Sequence, residues 1–176
     1  MRVRAAVAVA VLLGLAACGD ATTPGITPSG QPSAGPTVSP AIEDGRHFGW
    51  VRSVDLGGAT LEFDRAEFLT GDEANEAAEE DGVVSPGEGV PNDYYIRNPD
   101  TSTVTIRLGL APGIEPELVV VDWGNCCEST SGELEPWAES FDDPEYDGGA
   151  YRGDGSPYWV TVVGRAVVKV EEQYLP

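Results

Sequence analysis

His47 is the only histidine in the chain, and it lies where a Pro- and Ser-rich segment meets the first strand-like run. A Ser–His–Asp or Cys–His site needs an imidazole held by an acid and aimed at a nucleophile. The sequence has no Gly-x-Ser-x-Gly turn to present one, and one histidine with two adjacent cysteines does not make a zinc site. We therefore expect His47 to be a half-exposed structural residue, with no catalytic residue, metal or cofactor in the chain.

Cys126 and Cys127 are adjacent. In an exported protein, paired cysteines are expected to be oxidised. Neighbouring Cα atoms lie only about 3.8 Å apart, closer than the roughly 4.4–6.8 Å of an ordinary disulfide. A bridge between them would be strained and easier to reduce than a structural disulfide. A vicinal disulfide is the first expectation, and the alternatives are two thiols or a redox or metal role.

The segment from Asp122 to Trp159 combines ten acidic residues and one basic residue with seven aromatic rings. Loops this long are usually functional or disordered, and disordered loops are poor in aromatics. The rings could pack over one end of the fold, or form a platform for a sugar or cationic ligand. The platform candidates are Trp123, Trp137, Tyr146 and Tyr151. Among the tryptophans, Trp137 is expected to be the most exposed and Trp159 to be structural.

Abundant carboxylates suggest two further chemistries. A cluster in this segment could gather oxygens around calcium, although it misses the Asp-x-Asp-x-Asp-Gly spacing. Its members are Asp142, Asp143, Glu145 and Asp147. A glycosidase-like hydrolase needs two carboxylates about 5 Å or about 6.5–9.5 Å apart in a cleft. With 30 acidic residues in the chain, many carboxylate pairs could be proposed for hydrolysis, and the sequence prefers none of them.

The most specific chemical signal is at Cys18. Residues 1–17 begin Met-Arg-Val-Arg and continue as an uncharged apolar run, which is typical of a secretory signal peptide. That run is shorter than the roughly 20 residues of a membrane span. It ends Leu15-Ala16-Ala17-Cys18, which resembles the lipobox of bacterial lipoproteins. The resemblance implies cleavage before Cys18 and a diacylglycerol thioether, whose acyl chains, such as palmitate, would anchor the protein to the outer face of the cell membrane.

The net charge of the chain limits the classes of partner that it can bind. Loss of the signal with Arg2 and Arg4 leaves 8 basic and 30 acidic residues, a formal charge of −22. Such a surface repels nucleic acid and anionic headgroups. We therefore expect no nucleic-acid partner and membrane contact through the lipid anchor only. A protein or glycan of the cell envelope stays open as the partner, and the sequence does not indicate an oligomeric state.

Composition divides the mature chain in two. Residues 18–44 are rich in Pro, Ser, Thr and Gly and lack aromatics, so they cannot bury enough apolar surface to become ordered. A flexible chain of about 25 residues reaches roughly 25–30 Å, which predicts a tether that lifts the rest from the membrane. Residues 45–176 are of a size for one domain and are expected to form a single β-rich globular unit.

Short alternating runs predict a mainly β fold, a small barrel or sandwich with one short helix. The predicted strands are 48–55, 59–64, 94–98, 103–108, 118–122, 158–163 and 165–171. Gly57 and Gly58 are expected to supply the positive φ of a hairpin turn, and Gly164-Arg165 predicts a second hairpin.

The helix is predicted at about 71–81. Thr70 and Glu73 fit a capping box at its start, and Gly82 is expected to end it. Its alanines form one stripe that can lie against a sheet; they are Ala74, Ala77 and Ala78.

Five blocks of the domain are similar to an uncharacterised group of secreted proteins and lipoproteins of Gram-positive bacteria. They are HFGWV at 47–51, LEFDRAEFLTG at 61–71, EEDG at 79–82, NDYYIRN at 92–98 and EEQYLP at 171–176. The resemblance spans about residues 45–110 and 157–176. It implies an extracytoplasmic compartment and a single domain, and it brings no activity with it.

Together these patterns favour a lipid-anchored binding or interaction module without enzymatic activity, whose ligand the sequence does not name. The alternative is a small cell-envelope hydrolase that acts through a carboxylate pair.

Overall fold

Strands dominate the part of the chain that the computed structural model describes, residues 42–125, 128–142 and 151–176. They are β1 (Gly45–Asp55), β2 (Thr60–Thr70), β3 (Tyr94–Arg97), β4 (Thr103–Leu108), β5 (Glu117–Asp122), β6 (Glu128–Ser131), β7 (Tyr158–Val163) and β8 (Ala166–Glu172). Two helices, α1 (Gly71–Glu80) and α2 (Leu134–Glu139), and two 3-10 turns, Pro91–Asp93 and Gly153–Gly155, complete the described elements. The predicted mainly β fold is confirmed. All seven predicted strands and the predicted helix are present, whereas β6, α2 and the second half of β2 are additions.

Five of the strands close into a ring. β1 pairs antiparallel with β2 and β7, β2 pairs with β4, and β7 pairs with β8. A parallel contact between β4 and β8 completes the circuit. Followed strand by strand around the ring, the residue pairing starts on β1 at Asp55, which lies opposite Thr60. It comes back to β1 at Gly45, which lies opposite Val162. A return so far along the starting strand means that the strands are tilted steeply. Because β4 and β8 share only two residue pairs, the ring is uneven and closer to a sandwich than to a regular barrel.

The remaining strands extend this ring. β3 lies beside the second half of β2, β5 runs parallel to the later part of β8, and β6 pairs with the outer edge of β5. β4 and β5 therefore share one edge of β8, and the loop between them, residues 109–116, lies near the start of β8. We call this segment the β4–β5 loop.

The core is one cluster of apolar side chains supplied by alternate strand positions. In β4, Ile106 and Leu108 are buried while Thr105 and Arg107 are exposed, as the alternation predicts. In β7, the buried residues also alternate with more exposed ones. Ile42 belongs to the same cluster, so a residue that the sequence assigns to the tether is part of the core.

The two hairpin turns differ in backbone conformation. Gly164 and Arg165, between β7 and β8, have φ of 57° and 64°, as a two-residue primed turn requires. The prediction for the β1–β2 turn is wrong, because the residue with positive φ there is Ala59, at 51°. A Cβ at Gly58 would meet the exposed Asp55 carboxylate, which accepts a hydrogen bond from the Gly58 N–H at 2.8 Å and would have to shift.

Helix α1 lies against the sheet through its alanine stripe, as predicted, since Ala74, Ala77 and Ala78 are buried. Gly82, with φ of 70°, follows its end. The predicted capping box is wrong, because the Thr70 side chain makes no capping hydrogen bond. Thr70 is still paired with Tyr94 in the ladder of β2 and β3, so its conformation is that of a strand residue.

The acidic carboxyl end of α1 is balanced by β3. The Arg97 guanidinium donates to both Asp81 oxygens, at 2.9 and 2.6 Å, and to Glu80 at 3.1 Å, and the Tyr95 hydroxyl donates to Asp81 at 3.0 Å. The hydrogen bond from Arg97 holds the pKa of Asp81 below its usual value. These contacts offset the unfavourable position of carboxylates at the negative end of a helix dipole.

Candidate functional site

A groove of about 660 Å³ lies at the end of the ring where the β1–β2 turn meets the β4–β5 loop. We call it the end groove. Its lining comes from the β1–β2 turn, the end of β4, the β4–β5 loop and the first turn of α2. The lining residues are Leu56, Gly57, Ala59, Arg107, Leu108, 109–116, Leu134 and Glu135. Its volume lies within the range of small-molecule and peptide-anchor pockets, about 300–1,000 Å³.

Backbone contacts hold the two walls of the groove together. The Leu108 N–H donates to the Ala59 carbonyl at 2.8 Å, which ties the end of β4 to the β1–β2 turn. The Gly109 N–H donates to the Val167 carbonyl at 2.9 Å and fixes the start of the loop on β8. Gly109 has φ of 72°, and a Cβ on it would overlap the Ile114 carbonyl oxygen. The loop is therefore pinched at its base, and only glycine fits there.

The pinched loop leaves apolar side chains in water. Five large apolar side chains in the described part of the chain are exposed, and three of them line the end groove: Leu56 at 38%, Leu110 at 48% and Ile114 at 55%. Single exposed apolar residues are ordinary, but several around one concave site mark an interaction surface. This concentration distinguishes the end groove from the rest of the described surface.

Three charged side chains border the groove. Arg107 forms no ion pair with any described residue, and Glu115 and Glu135 are likewise outside the described ion pairs. All three are exposed. The lining therefore carries one cation against two anions, arranged around apolar walls, and has no serine, threonine, cysteine or histidine.

A second, smaller cavity of about 290 Å³ lies beside β2, β3 and the start of β4. Arg65 and Arg97 line it together with Glu67 and Asp100. The Arg97 guanidinium is already bonded to Asp81 and Glu80, and the other cation of the lining, Arg65, lies among the carboxylates of Glu67 and Asp100. It is a weaker candidate than the end groove.

A row of five aromatic rings runs across β7, β1, β2 and β3. In the row Phe48 lies 5.0 Å from both Phe68 and Trp159 and 6.3 Å from Trp50, while Phe68 stacks on Tyr94 at 5.4 Å, all between ring centroids. Guanidinium groups cover both indoles, Arg46 over Trp159 and Arg52 over Trp50. Because the rings pack on one another and the two arginines pack on the indoles, the row stabilises the fold. Trp159 is structural, as expected.

The predicted aromatic platform requires a correction at Trp137. This side chain is fully buried, with Phe141 at 5.1 Å and Tyr158 at 5.8 Å between ring centroids, both edge to face. The expectation that it would be the most exposed tryptophan is wrong. Trp137 lies in α2, an element too short for its periodicity to be visible, and this helix directs the ring into the core.

The other platform candidates in the described residues are also engaged by the fold. The Tyr151 hydroxyl accepts a hydrogen bond from the Glu133 N–H at 2.8 Å, and its ring packs against the core. Trp123 donates to the Glu172 carboxylate at 3.3 Å, with its ring between Tyr174 and the Arg152 guanidinium. The structure does not bring either residue to the end groove.

Several predicted residues lie outside the described residues: Cys18, Cys126, Cys127, Tyr146 and, from the calcium cluster, Asp143, Glu145 and Asp147. Within residues 42–125, 128–142 and 151–176, no group of three or more His, Cys, Asp or Glu side chains is placed to hold a metal ion. His47 is partly buried, with Nε2 at 2.8 Å from the Glu43 carbonyl oxygen, which fits its predicted structural role.

The two buried carboxylates are both bonded by neighbouring groups. Asp64 accepts hydrogen bonds from Arg52 and, at 3.1 Å, from the Asn98 amide. Glu172 accepts from the Val121 N–H at 2.9 Å and from Trp123. Neither carboxylate lines a described cavity, so each acts as a structural connector between strands.

Comparison of the chain with protein-family models, curated proteins and solved structures found no match. Among the described residues, no helix is long and apolar enough to cross a membrane. The function must therefore be argued from the site itself.

Sequence reasoning missed the end groove, although one signal for it exists. Residues 108–116 read Leu-Gly-Leu-Ala-Pro-Gly-Ile-Glu-Pro. Glycines and prolines predict a turn, and a turn has no buried face for Leu110 and Ile114. Large apolar residues within such a segment indicate a surface that is apolar and exposed.

Proposed function

We propose that this chain is a lipid-anchored binding module on the outer face of the cell membrane, and that the end groove is its binding site. The observation that carries the proposal is the concentration of Leu56, Leu110 and Ile114 around one cavity. Full burial of an exposed side chain of this size contributes about 1.5–3 kcal/mol, and these side chains, which are 38–55% exposed, can give a ligand about half of that each. Three of them give a ligand enough apolar contact for measurable affinity once the costs of association are offset.

The location in the proposal is supported by the amino-terminal sequence. A signal-like run followed by Leu15-Ala16-Ala17-Cys18 favours export and lipidation. The Pro- and Ser-rich residues after Cys18 would allow the domain to reach roughly 25–30 Å from the bilayer. An anchored module of this kind can meet soluble or surface-bound partners without entering the membrane.

Binding is supported better than hydrolysis. Hydrolysis by a carboxylate pair requires one group with a raised proton affinity and a second group across the scissile bond. The groove supplies Glu115 and Glu135, which are both exposed to water. Binding needs only the apolar walls and the shape, which the groove already has.

The binding proposal is tested with an uncharged solvatochromic dye such as Nile red. The protein is residues 18–176 carrying Cys18→Ala, which lacks both the lipid and the apolar residues 5–17 that would themselves take up dye. We expect saturable dye binding that Ile114→Ser and Leu110→Ser each weaken about tenfold, because each loses one apolar contact. Val83→Ser is the matched control, since Val83 is exposed but outside the groove. Equal binding by all three variants would refute the site.

The anchor is tested separately in cells. We expect the wild-type chain to partition into detergent and to carry label from radioactive palmitate, and Cys18→Ala to lose both properties. Unchanged detergent partitioning of Cys18→Ala would contradict lipidation at this residue and leave the groove proposal unaffected.

A further inference from the structure

We propose that the occupant of the end groove is a basic polypeptide segment with apolar anchor side chains. The inference rests on the proposed function, because it assigns a partner class to the same groove. It follows from the distribution of charge around the apolar walls and over the whole chain.

The apolar component comes from two loops that face one cavity. Leu56 projects from the β1–β2 turn, and Leu110 and Ile114 project from the β4–β5 loop. Anchor side chains at several points are how grooves recognise short peptide segments. A groove of about 660 Å³ has room for a few side chains of such a segment.

Acidic residues outnumber basic ones both in the lining of the groove and over the whole chain. Glu115 directly follows Ile114, and Glu135 directly follows Leu134 of the lining, against the single cation Arg107. The chain as a whole has a formal charge of −20. A field of this sign raises the association rate of cationic partners and slows that of anionic ones.

The same charge argues against two other occupants. A second copy of this chain would bring a second large negative charge against the first, and repulsion opposes that association. A membrane surface rich in anionic lipid would be repelled in the same way. A basic segment is the partner whose charge and apolar content both match the groove.

Three synthetic peptides of 14 residues separate the contributions: one of Leu and Lys, one of Leu and Glu, and one of Ser and Lys. Each is titrated against residues 18–176 carrying Cys18→Ala and followed by calorimetry and by mapping of amide chemical shifts. We expect the Leu–Lys peptide to bind at least tenfold more tightly than either other peptide. Its binding should weaken severalfold or more between 0.05 and 0.5 M salt, because exposed charges are screened.

Variants locate the interaction. Ile114→Ser should weaken the Leu–Lys peptide at least tenfold, and the double variant Glu115→Gln, Glu135→Gln should weaken it severalfold. The matched control is Glu73→Gln, Glu76→Gln, which changes the net charge equally on the exposed face of α1, outside the groove. It should bind almost as the parent chain does.

Equal effects of the two double variants, or shifts confined to residues outside the groove, would overturn the inference. So would equal affinity for the Leu–Glu peptide. If Nile red binds in the groove but the Leu–Lys peptide has no advantage, the binding function stands and the basic partner is refuted. If neither dye nor peptide binds there, both proposals fail.

Discussion

Two segments of this molecule carry large apolar side chains and place them in opposite environments. The acidic segment from Asp122 to Trp159 has seven aromatic rings, and Trp137 within it is fully buried. The β4–β5 loop has two large apolar residues, Leu110 and Ile114, and both are exposed. The segment with more rings is thus the less available one for binding among its described residues.

The difference arises from length and from local constraint. The long segment has enough chain to form α2 and to pack Trp137 edge to face on Tyr158, which repays the entropy of ordering it. The β4–β5 loop has eight residues, is fixed at Gly109 and contains two prolines. It cannot fold back over the core, so its apolar residues stay in water. Ring content alone is therefore a poor guide to a binding surface.

The largest effect is expected at the buried ring. Trp137→Ala should lower the free energy of unfolding by about 3–5 kcal/mol, because it removes a fully buried aromatic side chain and leaves a cavity. Urea unfolding followed by circular dichroism measures it. A loss below about 1 kcal/mol would mean that the ring is not packed in solution, and the comparison between the two segments would collapse.

How much of this was visible in the sequence depends on whether the signal is local. The alternation of Val104, Ile106 and Leu108 with polar residues predicts β4 because each strand of the ring has its own buried face. β6 reads Glu-Ser-Thr-Ser, without an apolar residue, and it exists because β5 has an edge to pair. α2 has six residues and contains Pro136, so no periodicity marks it.

The candidate site was less visible than the fold, since it depends on which loops meet. Leu56 and Ile114 lie far apart in the sequence and come together because β2 pairs with β4 and places the β1–β2 turn beside the end of β4. That contact depends on pairing between two strands that are not consecutive in the chain, which no local pattern predicts. The ion pair at the end of α1 was also not visible in the sequence, because Arg97 contacts Asp81 only when β3 pairs with β2.

An intermediate effect is expected at the base of the β4–β5 loop. Gly109→Ala forces an L side chain to positive φ, at a cost of about 1–3 kcal/mol, and adds overlap with the Ile114 carbonyl. Gly113→Ala is the matched control, because its φ is 79° but the space around it is open. We expect Gly109→Ala to be the more destabilising variant in urea and to weaken Nile red binding. Equal stability of the two would show that the loop is not pinched.

A small effect on stability is expected at the loop tip. Ile114→Ser and Leu110→Ser should change the free energy of unfolding by no more than about 0.5 kcal/mol, as is usual for exposed positions. The same variants are those expected to weaken dye binding about tenfold. If Ile114→Ser and Leu110→Ser weaken dye binding without lowering stability, whereas Trp137→Ala lowers stability, the contrast between the two segments is sharpened. A loss of about 2 kcal/mol at Ile114 would instead show that this residue belongs to the core.

The smallest effect is expected outside both segments, at Asp81, and it depends on pH. Hydrogen bonds from Arg97 hold the pKa of Asp81 below its usual value, so the ionised form is favoured in the folded state. A depressed pKa contributes stability that is fully present above the unfolded value of about 3.9 and is lost as the pH falls through the folded value. Asp81→Asn should therefore be slightly less stable than the parent chain at pH 7, and this difference should vanish in acid, below pH 3.9.

Asp72→Asn is the control for this measurement, because it removes the same charge from the first turn of α1, where Arg97 is not its partner. Both variants relieve the general repulsion within an acidic chain equally. The helix dipole alone would make Asp72→Asn the less stable variant, so a lower stability of Asp81→Asn at pH 7 reports the contact with Arg97. Thermal unfolding between pH 7 and pH 2.5 gives the comparison. A difference that persists unchanged to pH 2.5 would mean that Asp81 stabilises α1 by packing or by a neutral hydrogen bond. In that case β3 would hold α1 by packing, and the charge contact between Asp81 and Arg97 would not be the source of the stability.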